Sequence, residues 1–325
     1  MYDAGLKALI ASAFARLRSE LRTLAPHLAR RVLAWMSALA GSARHEAYFM
    51  HPEAFPLLLL PWWLEKSLGG APDRAFHADL VYSSINGYYY VRLIDSVMDG
   101  HGPGDATLLP ATAFFHLQFQ GAYQRHFEPD HPFWKVFVSE SLHASETIVR
   151  EAALTHVGLR EFVQIAAQKT CGMRIPIAAV CFHGRKPKLI RPWWAMCDAL
   201  GRFAQMLDDV FDWHTDLAAN RLTTYFLSEA ALRKRRGESI TAWIVREGFQ
   251  WGVAEIHDLL TDVKAHGRTL QSPELVSYLT RQEALLRAEE QGVRAGLASL
   301  ATLAPLLPPE RGRRVNVSIG GRVKR

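Results

Sequence analysis

The chain has 325 residues, 49% of them hydrophobic, and a net charge of +6. That supplies a sizeable core for one large domain or two ordinary ones, and no repeat or low-complexity linker divides it. Its three cysteines, Cys171, Cys181 and Cys197, show neither metal-ligand spacing nor a disulfide framework, which excludes a stapled secreted scaffold and fits a reducing cytoplasm.

Helical periodicity dominates and two-residue alternation is scarce. Residues 4–40 read as one or two amphipathic helices, and this N-terminal stretch lacks the short apolar core and cleavage site of a secretory signal. The run FPLLLLPWWL at 55–64 is about half as long as a membrane-spanning helix needs. After the breaker SLGGAPD, Asp73 is placed to cap a helix over 74–99, which stops at GHGPG (100–104) with Gly100 in the C′ position. Further helices are expected over 111–126, 132–153, 158–182, 191–217, 226–249, 250–266 and 272–303, with Pro192 in a first turn that tolerates it. Basic residues are dispersed, apart from Arg233-Lys234-Arg235-Arg236 and the tail from Arg311 to Arg325. Both read as solvated surface; no nucleic-acid partner is expected, while brief contact with an anionic membrane surface is compatible.

The stretch LDDVFDWHTD (207–216) sets four carboxylates among Val210, Phe211 and Trp213, too apolar a setting for a solvent-facing acidic patch. Every fourth residue from Met196 gives Leu200, Ala204, Asp208, Asp212 and Asp216, so an apolar stripe becomes acidic without changing helix face. Asp209 lies about 100° round the helix from Asp208 and is given a lesser part. A second row closes the 74–99 helix: Leu80, Ser84, Tyr88, Val91, Asp95 and Asp99. Asp99 falls in the last turn, where the helix dipole disfavours negative charge by about 0.3–1 kcal/mol, and broken local rules tend to mark functional sites.

Two such rows suit Mg²⁺ and a diphosphate, because magnesium takes few carboxylates and fills its shell with water and phosphate oxygens. Asp95 and Asp99 on one wall, with Asp208, Asp212 and Asp216 on the other, would hold metal that stabilises the charge building on a departing diphosphate. Arg92, Lys169, Arg174 and Arg221 are candidates to hold that diphosphate, with Tyr225 just past the second acid row. No G-x-S-x-G or H-E-x-x-H motif offers a rival chemistry.

At these motifs a family resemblance enters. YVRLIDSVMDG (90–100) resembles the segment opening the first D-x-x-x-D of squalene and phytoene synthases. LGRFAQMLDDVFDWHTDLAANRLTTYF (200–226) is similar to their second motif, with Leu200-Gly201, Gln205, Asp212, Asp216 and Arg221 at the matching positions. QMLDDVFD also resembles the second D-D-x-x-D of head-to-tail prenyl diphosphate synthases, and the 208/212/216 spacing resembles the metal triad of class I terpene cyclases. The resemblance, over residues 50–230, is to the class I isoprenoid synthase superfamily. Departures are Ser96, where head-to-tail synthases carry a second adjacent acid, the lack of a following Arg-Arg pair, IAAQKTCGMRIP before the second motif, and Asp208, where squalene and phytoene synthases have Asn.

The resemblance implies an all-α, single-domain helical bundle with a central active-site cavity. Residues 1–50 would add N-terminal helices to the bundle, 51–305 form the catalytic domain, and 306–325 a basic, flexible tail. It implies a cytoplasmic enzyme using several Mg²⁺ ions to ionise an allylic prenyl diphosphate of about C15–C20 and steer the carbocation to cyclisation or rearrangement. Head-to-head coupling, which would bring in NADPH, and head-to-tail transfer are the alternatives, and a homodimer is compatible with each. Aromatic faces stabilise a carbocation by about 0.5–2 kcal/mol each. Tyr88 and Phe203 precede the acid rows and, with Gln205, are the expected substrate contacts. A di-iron carboxylate bundle is the rival from another class, but one of its two Glu-x-x-His matches, EPDHP, is broken by Pro129 and Pro132, leaving only Glu140 and His143.

Overall fold

A computed structural model describes residues 1–52, 54–98, 106–169, 171–218 and 223–303, without the side chains of Cys171 and 297–303. Asp99, the GHGPG stop, Arg221 and the basic tail lie outside the described residues. Helices account for the described architecture, and no strand occurs among the described residues.

Helix α1 (Ala4–Leu24) starts where Asp3 Oδ1 accepts the Leu6 N–H at 2.9 Å, and it buries Leu6, Ile10, Phe14, Leu17 and Leu21 on one face. Proline opens α2 (Pro26–Ala40), so the 4–40 stretch is two helices. After the short α3 (His45–Phe49) and α4 (Leu59–Ser67) comes α5 (Arg74–Met98), whose Ala75 and Phe76 N–H groups are taken by Asp73 Oδ1 at 2.9 and 3.1 Å. It packs against α1 and, more extensively, against α6 (Ala111–Tyr123). Helix α7 (Phe133–Ala152) packs on α8 (Leu159–Lys169) and α9 (Cys171–His183), which cover the helical stretch expected over 158–182 apart from Thr170, outside the described residues.

The second long helix at the cavity is α10 (Ile190–Phe211), followed by α11 (Trp213–Ala218), α12 (Tyr225–Arg233), α13 (Ile240–Trp243), α14 (Phe249–Thr269) and α15 (Pro273–Leu303). Helices α8, α9 and α14 pack against α10. Two expected helices break. The 191–217 helix ends at Phe211, because Asp212 leaves helical geometry at φ −102° and ψ 8° before α11 restarts the chain. The 226–249 helix breaks after Arg233, where a run of like charges and Gly237 follow, whereas 240–269 runs on through a π-helical turn at Ile244–Gly248. Here the Trp243 ring covers Gly248, and a Cβ on that glycine would stand 2.3 Å from a ring carbon, so only glycine admits the tryptophan.

Residues Met1–Glu283 form one compact unit. Its interior holds Trp63, Trp193, Trp243, Tyr89 and Phe115, and burial of side chains this large contributes about 1.5–3 kcal/mol each. The second unit, Ala284–Arg325, is described as far as Leu303 and carries an Arg294–Glu290 ion pair at 2.7 Å. No described helix is long and apolar enough to cross a membrane.

Candidate active site

Residues from α2, α3, α5, α6, α7, α8, α9 and α10, with His51, Ala54, Phe55 and Leu57 between helices, line a cavity of about 1030 Å³. That is the upper end of ordinary small-molecule pockets. The α5 row enters it from the core: Leu80 is packed away, then Ser84, Tyr88, Val91, Arg92 and Asp95 line the wall. On α10, Met196 and Leu200 are in the core, and Gly201, Ala204, Gln205 and Asp208 line the wall. Both stripes thus pass from core to cavity without changing face, and each brings one acid to it.

The structure draws together Tyr88, Arg92, Asp95, Lys169, Gln205 and Asp208. Arg92 Nη1 donates to Asp95 Oδ2 at 2.9 Å, while its buried Nε–H has no hydrogen-bond partner. Lys169 Nζ pairs with Glu151 Oε1 at 2.7 Å. Burial pulls the Lys169 ammonium down, but Glu151, helped by Asp209 and Asp95, outweighs it and the net shift is upward. Lys169 is therefore a fixed positive charge in the cavity wall. The Tyr88 hydroxyl is hydrogen-bonded to that of Tyr48, and burial pushes it well above the usual phenol range, which keeps it neutral.

Other expected site residues fall elsewhere. Asp212 and Asp216 lie outside the cavity lining, since the chain bends at Asp212 and the straight acidic stripe ends with Asp208. Arg174 is also outside it, paired with Glu140 at 3.1 Å and Asp198 at 2.5 Å and set over the Trp194 ring at 5.3 Å. Phe203 is packed in the core, and Tyr225 is buried, stacked on Phe162 at 4.7 Å. Asp209, given a lesser part from its helix position, is buried and accepts from Gln205 Nε2 at 2.7 Å and from the Tyr225 N–H at 3.0 Å. Burial raises its carboxyl to about 6, against the opposing pull of Gln205 and Lys169.

The sequence pattern missed Tyr48, Phe49 and Phe119, all in the lining. The first two sit on a helix of five residues, too short for any periodicity, and Phe119 is one of many aromatics on α6. Ser141, on α7, adds a buried hydroxyl without a hydrogen-bond partner.

Asp95 and Asp208 are hard oxygen donors on different helices in one cavity, and no group of three or more metal-ligating side chains forms among the described residues. That donor set fits Mg²⁺, which is held by one or two carboxylates and completes its shell with water and phosphate oxygens. It does not fit an all-protein di-iron centre, and Glu140 is committed to Arg174.

No family model matches the chain, and no curated protein matches it. Solved structures do. A geranylgeranyl pyrophosphate synthetase from the archaeon Geoglobus acetivorans superposes with a TM-score of 0.65 at 13% identity, over 88% of this chain and 99% of that one. The fold is that of the isoprenoid synthases. A decaprenyl diphosphate synthase from Rhodobacter capsulatus (TM-score 0.63, 16% identity) is matched over 86% of this chain and 95% of that one. A geranylgeranyl pyrophosphate synthetase from Pyrococcus horikoshii OT3 (TM-score 0.59, 15% identity) is matched over 86% and 97%. At such identities the likeness is one of fold, the class I isoprenoid synthase bundle that the two acid motifs led us to expect. Within that bundle Ser96 is buried, turned inward beside Asp95.

Proposed function

We propose that this chain is a Mg²⁺-dependent enzyme that binds an allylic prenyl diphosphate in the cavity and ionises it. The observation that carries this reading is that Asp95 and Asp208, on separate helices, line one apolar cavity together with the cations Arg92 and Lys169. Bound Mg²⁺ would neutralise the charge that builds on the departing diphosphate. Asp95 and Asp208 would hold it. Arg92 would turn its unpartnered Nε–H to a phosphate oxygen, and Lys169 would add a fixed positive charge. Tyr88, Tyr48, Phe49 and Phe119 would present aromatic faces to the cation and keep water away.

Transfer to a second prenyl unit is the better supported outcome, since the solved structures of this fold named above are synthases of prenyl diphosphates. Cyclisation is the second reading. It is favoured by the lining itself, in which Arg92 and Lys169 are the only arginine and lysine among the described residues, enough for one diphosphate rather than two.

The test is incubation with C10, C15 and C20 prenyl diphosphates and Mg²⁺, with and without isopentenyl diphosphate and NADPH, products being read by mass spectrometry. Chain extension supports transfer, a doubled chain supports head-to-head coupling, and a cyclic product from one substrate supports cyclisation. Asp95→Ala and Asp208→Ala should each lower turnover by about 10²–10³-fold. A folded wild type that releases diphosphate from none of these substrates would rule the reading out.

A further inference from the structure

Asp208 and Asp209 are chain neighbours with opposite surroundings. Asp208 lines the cavity, whereas Asp209 is 2% exposed. Its Oδ1 accepts from Gln205 Nε2 at 2.7 Å, and its Oδ2 accepts from the backbone N–H groups of Tyr225 at 3.0 Å and Phe226 at 3.5 Å. Burying a carboxylate is costly unless its oxygens are satisfied, so a position that keeps one buried needs a reason.

Starting α12 is not that reason. Thr224 already caps the helix, its Oγ1 accepting from the Leu227 N–H at 3.3 Å. What Asp209 adds is a link between elements. It joins the last turn of α10 to the first turn of α12 across the bend at Asp212, and it holds the Gln205 side chain, itself part of the cavity wall. Pinning that last turn fixes its rotation about the α10 axis. The rotation in turn decides whether Asp208, one residue back, faces the cavity.

We propose that Asp209 is the positioning residue of the diphosphate site: it touches no substrate, and it keeps Asp208 and Gln205 in the cavity wall by clamping α10 to α12. This rests on the functional reading above. Without the clamp the last turn of α10 loses its orientation and Asp208 is presented less often. The chemical step, once the metal and substrate are seated, is little changed.

The full chain is compared with Asp209→Ala and Asp209→Asn. Folding is checked by circular dichroism, the Tyr225 and Phe226 amides are followed by hydrogen exchange, and Mg²⁺ with inorganic pyrophosphate is titrated by calorimetry. Steady-state kinetics use farnesyl diphosphate or whichever substrate the wild type turns over. Asp209→Ala should weaken Mg²⁺·pyrophosphate binding and raise KM by about 10–100-fold, with kcat lowered far less, as for other residues that orient a metal ligand. Its Tyr225 and Phe226 amides should exchange faster. Asp209→Asn keeps an oxygen for the two amides and lets Gln205 turn its carboxamide to accept, so it should restore most of the binding and slow exchange again.

Wild-type KM in a folded Asp209→Ala variant overturns the proposal. So does an Asn variant as impaired as the Ala one with its two amides still protected, since the charge itself would then matter rather than the clamp. If Asp209→Ala does not fold, the Asn variant decides by the same two readouts. A wild type that binds no Mg²⁺·pyrophosphate and turns over no prenyl diphosphate overturns the functional reading, and with it any site role for Asp209. In that case amide exchange still reports whether the clamp exists.

Discussion

The Phe119 ring lies so close to Gly87 that a Cβ on the glycine would stand 2.9 Å from two ring carbons. Both residues line the cavity, and the Phe119 backbone is held in place by Ser83 Oγ, which donates to its carbonyl at 2.7 Å. A methyl group at position 87 can therefore be accommodated only by turning the ring. Overpacking of this kind costs about 1–3 kcal/mol, offset by about 1 kcal/mol because alanine favours a helix interior over glycine. Gly87→Ala should cost up to about 2 kcal/mol of stability on these figures. It should also lower kcat/KM for C20 relative to C10 substrates as the ring moves into the cavity. Kinetics across the C10–C20 series and urea unfolding check both expectations, and an unchanged chain-length preference would show that the ring turns away from the cavity.

Arg174 makes a prediction of a different kind, because its partners are known. Glu140 is buried, and Arg174 supplies its main positive charge at 3.1 Å. Arg174→Met leaves that carboxylate uncompensated and should cost about 3–5 kcal/mol in chemical unfolding. Adding Glu140→Gln should recover much of the loss. If Arg174 instead held diphosphate, as its place in QKTCGMR led us to expect, the single variant would raise KM with little change in stability.

Acid should unfold the protein partly through His77. Its ring is buried beside Glu65, with Nε2 and Oε2 2.6 Å apart but out of line for a hydrogen bond, and burial pushes it down to about 4. An unfolded histidine binds its proton near pH 6.5. Above that both states are neutral and nothing is lost. As pH falls from about 6.5 to 4 the unfolded chain is protonated and the folded one is not, so stability falls by about 1.4 kcal/mol per unit at most. Glu65 is pushed up by the same burial and contributes the opposite slope above its ordinary range. Urea unfolding at pH 7 and pH 5 should show His77→Leu losing about 2 kcal/mol less than wild type over that interval. Equal losses would mean that the imidazole is protonated in the folded state.

At the N-terminus, Asp3 does two jobs. Oδ1 accepts from the Leu6 N–H and Oδ2 from Trp62 Nε1, both at 2.9 Å. Burial tends to raise its carboxyl, but these bonds and Lys66 outweigh that and hold it below the usual range. Asp3→Ala removes the α1 cap and strands the indole N–H, a cost of about 1–3 kcal/mol. In calorimetry the main transition should move down by several degrees, about 2–4 °C per kcal/mol for a unit of this size. Asp3→Asn should lose less, since it can still accept from Leu6.

The helical class and the two acid rows were legible in the sequence because helix periodicity is local. Residues four apart share a face whatever surrounds the helix, so Leu80 to Asp95 and Met196 to Asp208 could be read as stripes leading inward. Tertiary structure decided the rest. Where α10 ends depends on the bend at Asp212 and on the α12 amides that Asp209 reaches from another part of the chain, so the stripe stops one turn before Asp212. Arg174 looks like Arg92 in one dimension, but only the folded chain brings Glu140 and Asp198 to it and leaves Arg92 at the cavity. Tyr48 and Phe119 reach the wall from a five-residue helix and from across α5. A helix face is set within one turn of chain, while the end of a helix and the partner of a charge are set by residues far away in sequence.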